Sequence, residues 1–161
     1  MAAIEQKDGF EVVNWLSNQT WCNGNVGMIG YSWGGITSMQ VASLNPKGLK
    51  AIIPVTSSVD RYYDDAGYFV GCLVGQTIGW GVEMDSLSTR PPDPLIIGSK
   101  WKKIWKHRLE KTPPYVPIWL SNQEKNKYWL QGTISKNYDL IKCPVLSAGG
   151  WADCWPNTVG R

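Results

Sequence analysis

Apolar residues recur along the chain with two different periods, and the changes of period mark out the elements. Over residues 4–20, Ile4, Phe10, Val13, Trp15 and Leu16 return at roughly every third or fourth position, with Asp8 and Glu11 on another face. That spacing predicts a helix. Thr20 to Asn25 (TWCNGN) is a turn punctuated by Asn-Gly. Val26-Gly27-Met28-Ile29-Gly30 has no polar alternation and suits a strand buried on both faces, as in a parallel sheet. Ile36 to Leu44 returns to a helical pattern and stops before Pro46-Lys47-Gly48. Leu49 to Val55 (LKAIIPV) is a second apolar strand. Residues 25–57 therefore predict strand, sharp turn, helix, strand, a βαβ unit whose crossover is right-handed in nearly all proteins.

From Asp60 to about Asp139 the pattern breaks up. Tyr and Trp become frequent, and rigid loops interrupt helical periodicity at Arg90-Pro91-Pro92-Asp93-Pro94 and at Thr112 to Pro117 (TPPYVP). This stretch predicts a helical insertion and not more sheet. Residues 143–148 (CPVLSA) then return as an apolar strand ending in Gly149-Gly150-Trp151-Ala152-Asp153. The expected organisation is core over residues 1–59, insertion over 60–140 and core again over 141–161.

Composition narrows the class. The chain is 43% hydrophobic and 18% charged, with ten Trp, which describes a folded globular chain of one domain's length. A net charge of +3 is too small and too scattered to point to nucleic acid. The basic cluster is Lys100, Lys102, Lys103, Lys106, His107, Arg108 and Lys111, set among Trp101, Ile104, Trp105 and Leu109. It reads as the solvated face of an amphipathic helix, with a membrane or polyanion surface as the alternative. Cys22, Cys72, Cys143 and Cys154 have no CxxC pairing or ligand-spaced His, so no metal and no cofactor is expected, and buried free thiols are the default. The opening MAAIEQKDGF has no apolar leader, and no run of about 18 apolar residues suggests a membrane span. Cytoplasm is the default compartment, and the oligomeric state is unassigned.

The candidate chemistry lies in the turn. Gly30-Tyr31-Ser32-Trp33-Gly34 fits G-x-S-x-G, between a strand pattern and a helix pattern. A Ser on such a turn projects its hydroxyl clear of the backbone. Flanking glycines omit Cβ atoms that would collide. The helix N-terminus lies beneath it. The N–H of Trp33 is then placed as an oxyanion donor. The alternative is a Gly-rich loop whose Ser caps the helix. A Ser nucleophile needs a base, and the base an orienting carboxylate. Asp153 stands just past a strand and suits the orienter; it also suits a turn Asp that caps the next segment. The single histidine, His107, precedes Asp153 and lies inside the basic helix, so it reads as a helix-surface residue and not as the base.

Asp8-Gly9-Phe10, Trp15-Leu16, Gln19, Trp21 and Gly24 lead into Val26-Gly27-Met28 and Gly30 to Gly35. With the later Asp64-Asp65, Tyr68, Gly71, Trp119-Leu120, Tyr128-Trp129, Pro144-Val145-Leu146 and Gly149 to Asp153, they resemble the X-prolyl dipeptidyl-peptidase and cocaine-esterase-like group of α/β-hydrolases. The resemblance covers nearly the whole chain. It implies a partial α/β-hydrolase fold, mostly parallel sheet with flanking helices, and a helical cap over the insertion. It implies a serine esterase or peptidase, with Ser32 as nucleophile, Asp153 as triad acid and Trp33 as oxyanion donor. Family members also carry earlier strands, a later His-bearing loop and a C-terminal jelly roll that these 161 residues do not contain. Residues 1–161 are accordingly expected to be a fragment lacking the catalytic His and inactive alone.

The expected partner is a small-molecule ester or a short peptide, cleaved through an acyl-enzyme, with no nucleic acid and no membrane. Asp64 and Asp65 would suit a substrate ammonium, or are solvated carboxylates. Tyr62, Tyr63, Tyr68, Phe69, Trp80, Trp101 and Trp105 would line an acyl pocket, or pack the cap. The rival functions are a degenerate, non-catalytic hydrolase acting as a binding scaffold and, last, an aromatic carbohydrate-binding module.

Overall fold

The computed structural model describes residues 3–65, 68, 69 and 72–160. They fall into two compact units, one of residues 1–65 with 125–161 and one of residues 66–124. The division lies inside the expected 60–140 span: residues 60–65 and 125–140 belong to the first unit.

In the first unit, helix α1 (Ala3–Ser17) precedes strand β1 (Val26–Tyr31), helix α2 (Trp33–Ser43) and strand β2 (Leu49–Val55). The two strands are parallel, with Met28 opposite Ile52 and Tyr31 opposite Val55. Residues 143–148 do not form the full strand that their apolar run predicts. They pair with the other edge of β2 at two parallel bridges, Ile52 to Val145 and Val55 to Ala148, with Leu146 N–H donating to Ile52 carbonyl and Ala148 N–H to Pro54 carbonyl at 3.0 Å each. Pro144 has no N–H to give to a ladder, although its carbonyl accepts from Ile52 N–H at 3.0 Å.

The core is Val13 of α1, Met39, Val41 and Ala42 of α2, Leu49 and Ile52 of β2, and Val59 and Ile134 beyond them. Both helices thus feed the same core. The opposite face of β1 is open, with Ile29 74% and Tyr31 71% exposed, where burial on both faces was expected. Only Val13 of α1 is buried; Ile4 and Trp15 point to solvent, because the apolar residues of this helix are spread over more of its circumference than one neighbour can cover. Helix α7 (Lys127–Leu130) buries Trp129 in this unit, and a 3₁₀ turn follows at Tyr138–Leu140.

The second unit opens with a two-residue hairpin, β3 (Tyr68–Phe69) with β4 (Cys72–Leu73), inside a stretch that periodicity reads as helical. Helices α3 (Gly75–Ser88), α4 (Pro94–Ile97), α5 (Trp101–Lys111) and α6 (Tyr115–Leu120) follow. Gly81 of α3 lies against Val116 and Trp119 of α6, so closely that a Cβ would stand 2.5 Å from Val116. Asp93 caps α4 ahead of Pro94, its side chain accepting from Leu95 N–H. Helix α5 carries the basic cluster on exposed positions and stacks Trp101 on Trp105. Among the described residues, no helix is long and apolar enough to cross a membrane. Cys72 and Cys154 are exposed, contrary to the expectation of buried thiols; each sits in a short turn or hairpin with little chain around it.

Candidate active site

Ser32 belongs to two elements at once. Its N–H donates to Val55 carbonyl at 2.9 Å, extending the β1–β2 ladder by one residue, and its carbonyl accepts from Ile36 N–H at 3.1 Å, opening α2. The chain must reverse within that single residue, and its backbone sits at φ 56°, ψ −117°, a sparsely populated region for a residue with a Cβ. The Ser32 side chain makes no capping hydrogen bond to α2, unlike the helix-capping Ser that was the alternative.

The glycines explain how the turn closes. A Cβ on Gly30 would lie 2.1 Å from the Gly34 carbonyl carbon, and one on Gly35 would lie 2.7 Å from Ser57 Cβ. Gly34 has open space where its Cβ would be. The close approaches are therefore strand Gly30 against the first helical turn and Gly35 against the segment after β2. Trp33 begins α2, so its N–H is among the first four of a helix, which have no intrahelical acceptor.

The end of β2 carries a second strained residue. Thr56 has φ 46°, uncommon for a β-branched side chain, and its N–H donates to Ala148 carbonyl at 2.8 Å. Its hydroxyl bonds the Asp153 carboxylate. Since β1, β2 and the 145–148 segment run parallel, Ser32, Thr56 and Asp153 all follow carboxyl ends of the same small sheet. Asp153 Oδ1 also accepts from Trp155 N–H at 3.1 Å and from Cys154 Sγ at 3.3 Å, the first being the Asx turn that was the other reading of this residue. Burial pushes the Asp153 carboxyl up, but the bonds from Thr56, Trp155 and Cys154 outweigh it and hold it below its ordinary value. Partial desolvation, then the bond and charge of Asp153, push the Cys154 thiol up.

The 60–65 segment joins this edge. Asp64 is buried, and its Oδ1 accepts from Asn157 Nδ2 at 3.3 Å. Asp65 Oδ2 lies 2.7 Å from Arg61 Nε, both side chains almost fully buried, so the Asp65 charge already faces a cation. Thr158 Oγ1 donates to Ser57 carbonyl, drawing the loop after Asp153 onto the segment after β2. Asp60 anchors the same segment: its carboxylate accepts from Lys125 Nζ at 3.0 Å, Ser135 Oγ at 2.8 Å and Tyr62 and Tyr63 N–H. Burial raises the Asp60 carboxyl, and these partners bring it below its ordinary value. Arg61, Thr56 and Asp60 carry no sequence motif. The i,i+4 spacing of Arg61 and Asp65 is the one signal that would have paired them; nothing in it reveals their burial.

Tyr68 belongs to the second unit, where it is buried and donates its hydroxyl to Trp119 carbonyl at 3.1 Å. Phe69 lies on β3, and its side chain is outside the described residues. Tyr62 packs edge-on against Trp129. Trp80 is 47% exposed on α3. His107 is exposed on α5 of the second unit.

The family model described as X-Pro dipeptidyl-peptidase (S15 family) matches residues 1–160. A cocaine esterase of Rhodococcus sp. (strain MB1 Bresler) is 38% identical over 96 residues, which is 55% of this chain and 17% of that protein. An Xaa-Pro dipeptidyl-peptidase of Lactobacillus delbrueckii subsp. lactis is 25% identical over 167 residues, covering 93% of this chain and 20% of that protein. Among solved structures, a CocE/NonD family hydrolase from Staphylococcus aureus has a TM-score of 0.61 at 26% identity, over 86% of this chain and 22% of its own. The chain spans about a fifth of the length of these relatives.

Proposed function

Because this chain belongs to the X-Pro dipeptidyl-peptidase (S15) family, we propose that it forms the nucleophile-bearing part of a serine hydrolase working through an acyl-enzyme. The observation that carries the reading is Ser32 itself: a residue at φ 56°, ψ −117° between a parallel strand and a helix, its hydroxyl not spent on capping.

In this scheme Ser32 Oγ attacks the carbonyl of an ester or amide and passes its proton to an imidazole. Asp153, held below its ordinary carboxyl value, stays ionised near neutrality and orients that imidazole through its N–H. The Trp33 N–H receives the oxyanion of the tetrahedral intermediate, a kind of contact worth about 3–4 kcal/mol in such sites. The imidazole then protonates the leaving group, and water attacking the acyl-Ser32 ester restores the hydroxyl. His107 is not assigned as the base; the scheme places that group outside residues 1–161. Residues 66–124, which carry Tyr68, Phe69 and Trp80, are assigned to the family's helical cap and to choice of the acyl group. Asp64 and Asp65 are assigned to a substrate ammonium, at a segment where Asn157 already bonds Asp64 and Arg61 pairs with Asp65. The substrate is a small ester or short peptide.

A fluorophosphonate probe tests the assignment. The hydrolase carrying this sequence should take up one probe per chain at Ser32, and Ser32→Ala should abolish labelling and lower kcat by about 10⁶-fold. Residues 1–161 alone should resist the probe, since no imidazole activates the hydroxyl. Labelling that survives Ser32→Ala would refute the nucleophile, and stoichiometric labelling of residues 1–161 alone would refute the external base.

A further inference from the structure

The Trp33 side chain is gripped from the 61–65 segment. Arg61 Cζ lies 5.6 Å from the centre of the Trp33 ring and 5.8 Å from that of Trp129. Trp129 is 1% exposed and Trp33 44% exposed, so the guanidinium ties a ring fixed in the interior to one that half faces solvent. Such cation–π contacts strengthen as the cation is desolvated. The Arg61 side chain is itself only 6% exposed, with Asp65 5% exposed at 2.7 Å, and its backbone N–H donates to Thr133 Oγ1 at 3.1 Å. The 2.7 Å contact is off the line of the Nε–H bond, so Asp65 holds the cation by charge more than by a straight hydrogen bond. Aliphatic residues at positions 61 and 65 together would avoid the desolvation cost of this buried pair but would have no hold on the indole.

That hold acts on the residue next to the strained turn. Unusual backbone geometry persists only where the surroundings over-determine it. The strand side of Ser32 is fixed by the bond to Val55 and the helix side by the bond from Ile36 N–H; the Trp33 ring adds the side-chain handle next to the turn. We propose that Arg61, held by Asp65, is a positioning residue of the hydrolytic site: by clamping the Trp33 indole it fixes the Trp33 N–H that receives the oxyanion. The inference rests on the serine-hydrolase reading above. Arg61 touches no reacting atom; it acts through Trp33.

The clamp is tested in the hydrolase carrying this sequence, with turnover normalised to probe-labelled sites. Trp33→Leu should lower kcat about tenfold, a fraction of the loss from deleting an oxyanion donor outright, with KM within twofold. Trp33→Phe should regain most of it, because a ring still meets the guanidinium. Arg61→Lys keeps a charge opposite Asp65 but loses the planar guanidinium that lies 5.6 and 5.8 Å from the two indole centres, and should lower kcat to a similar degree. Combined with Trp33→Leu it should cost little more than either change alone, the mark of residues acting on one element. Unchanged kcat per labelled site in Trp33→Leu and Arg61→Lys, with only the melting temperature lowered, would overturn the proposal, as would additive losses. If Arg61→Lys fails to fold, the comparison of Phe with Leu at position 33 decides alone. Failure of the hydrolase reading shows elsewhere, as a wild-type protein without Ser32-dependent turnover, and the clamp falls with it.

Discussion

Helices α2 and α5 are both eleven residues long, yet seven residues of α2 are buried and none of α5. Helix α2 is apolar or small nearly all round, and its buried polar side chains tie it down: Ser38 Oγ donates to Gly35 carbonyl and Gln40 Nε2 to Gly132 carbonyl, Gln40 Oε1 alone being left without a partner among the described residues. Helix α5 instead has a stripe of half-buried Trp101, Ile104 and Trp105, with its basic residues in solvent. A helix that presents one stripe can roll or slide at small cost. A helix packed on most of its circumference has one position, and its first residue is fixed with it. Ser32 and Trp33 stand at the start of the second kind, and the nucleophile proposed at Ser32 would need to be held to within about 0.5 Å.

The contrast can be broken most sharply at Trp129 and Leu95. Trp129→Ala, at a site 1% exposed, should destabilise by about 3–5 kcal/mol; Leu95→Ala, 94% exposed in the other unit, should stay within about 0.5 kcal/mol. Denaturant midpoints at constant slope would show it, and equal losses at the two sites would erase the distinction. Next come the glycines. Gly30→Ala should lose about 3 kcal/mol, because its Cβ would meet backbone and not a yielding side chain. Gly79→Ala, in α3 with open space around the added methyl, should gain about 0.5–1 kcal/mol from helix propensity. A neutral Gly30→Ala would mean that the turn is looser than its geometry shows.

A smaller effect separates the segments by pH. Asp60 and Asp153 both sit below the ordinary carboxyl value of 3.8. The folded state therefore binds fewer protons than the unfolded chain in acid. Their stabilisation is complete above about pH 5 and is lost as pH falls through the folded values. Asp60→Asn should flatten that acid limb when unfolding midpoints are plotted from pH 6 to pH 3. A limb as steep as wild type would show that Asp60 contributes nothing to it.

The sequence made legible what depends on short-range pattern. The elbow, α2 and both strands fall where the apolar runs and the glycines put them, to within two or three residues, and the family resemblance is matched over residues 1–160. Less legible was anything decided by a distant partner. The 143–148 run reads as a strand, and it does bond to the edge of β2, but as two isolated bridges and not as a full strand. The open face of β1 is invisible in VGMIG, because an apolar run does not say what covers it. Arg61 and Asp65 look like surface charges at helical spacing, and only the fold brings the indoles of Trp33 and Trp129, nearly a hundred residues apart, within reach of one guanidinium. Thr56 gives no local hint of a positive φ, since its type ordinarily avoids that region.

The second unit leaves and rejoins the chain once, after Asp65 and before Lys125. Everything that sets Ser32, from the Val55 bond to the Gly30–Gly34 contact, lies outside that interval. An insertion or deletion inside residues 66–124 would therefore leave every one of those bonds and contacts within its own continuous stretches of chain.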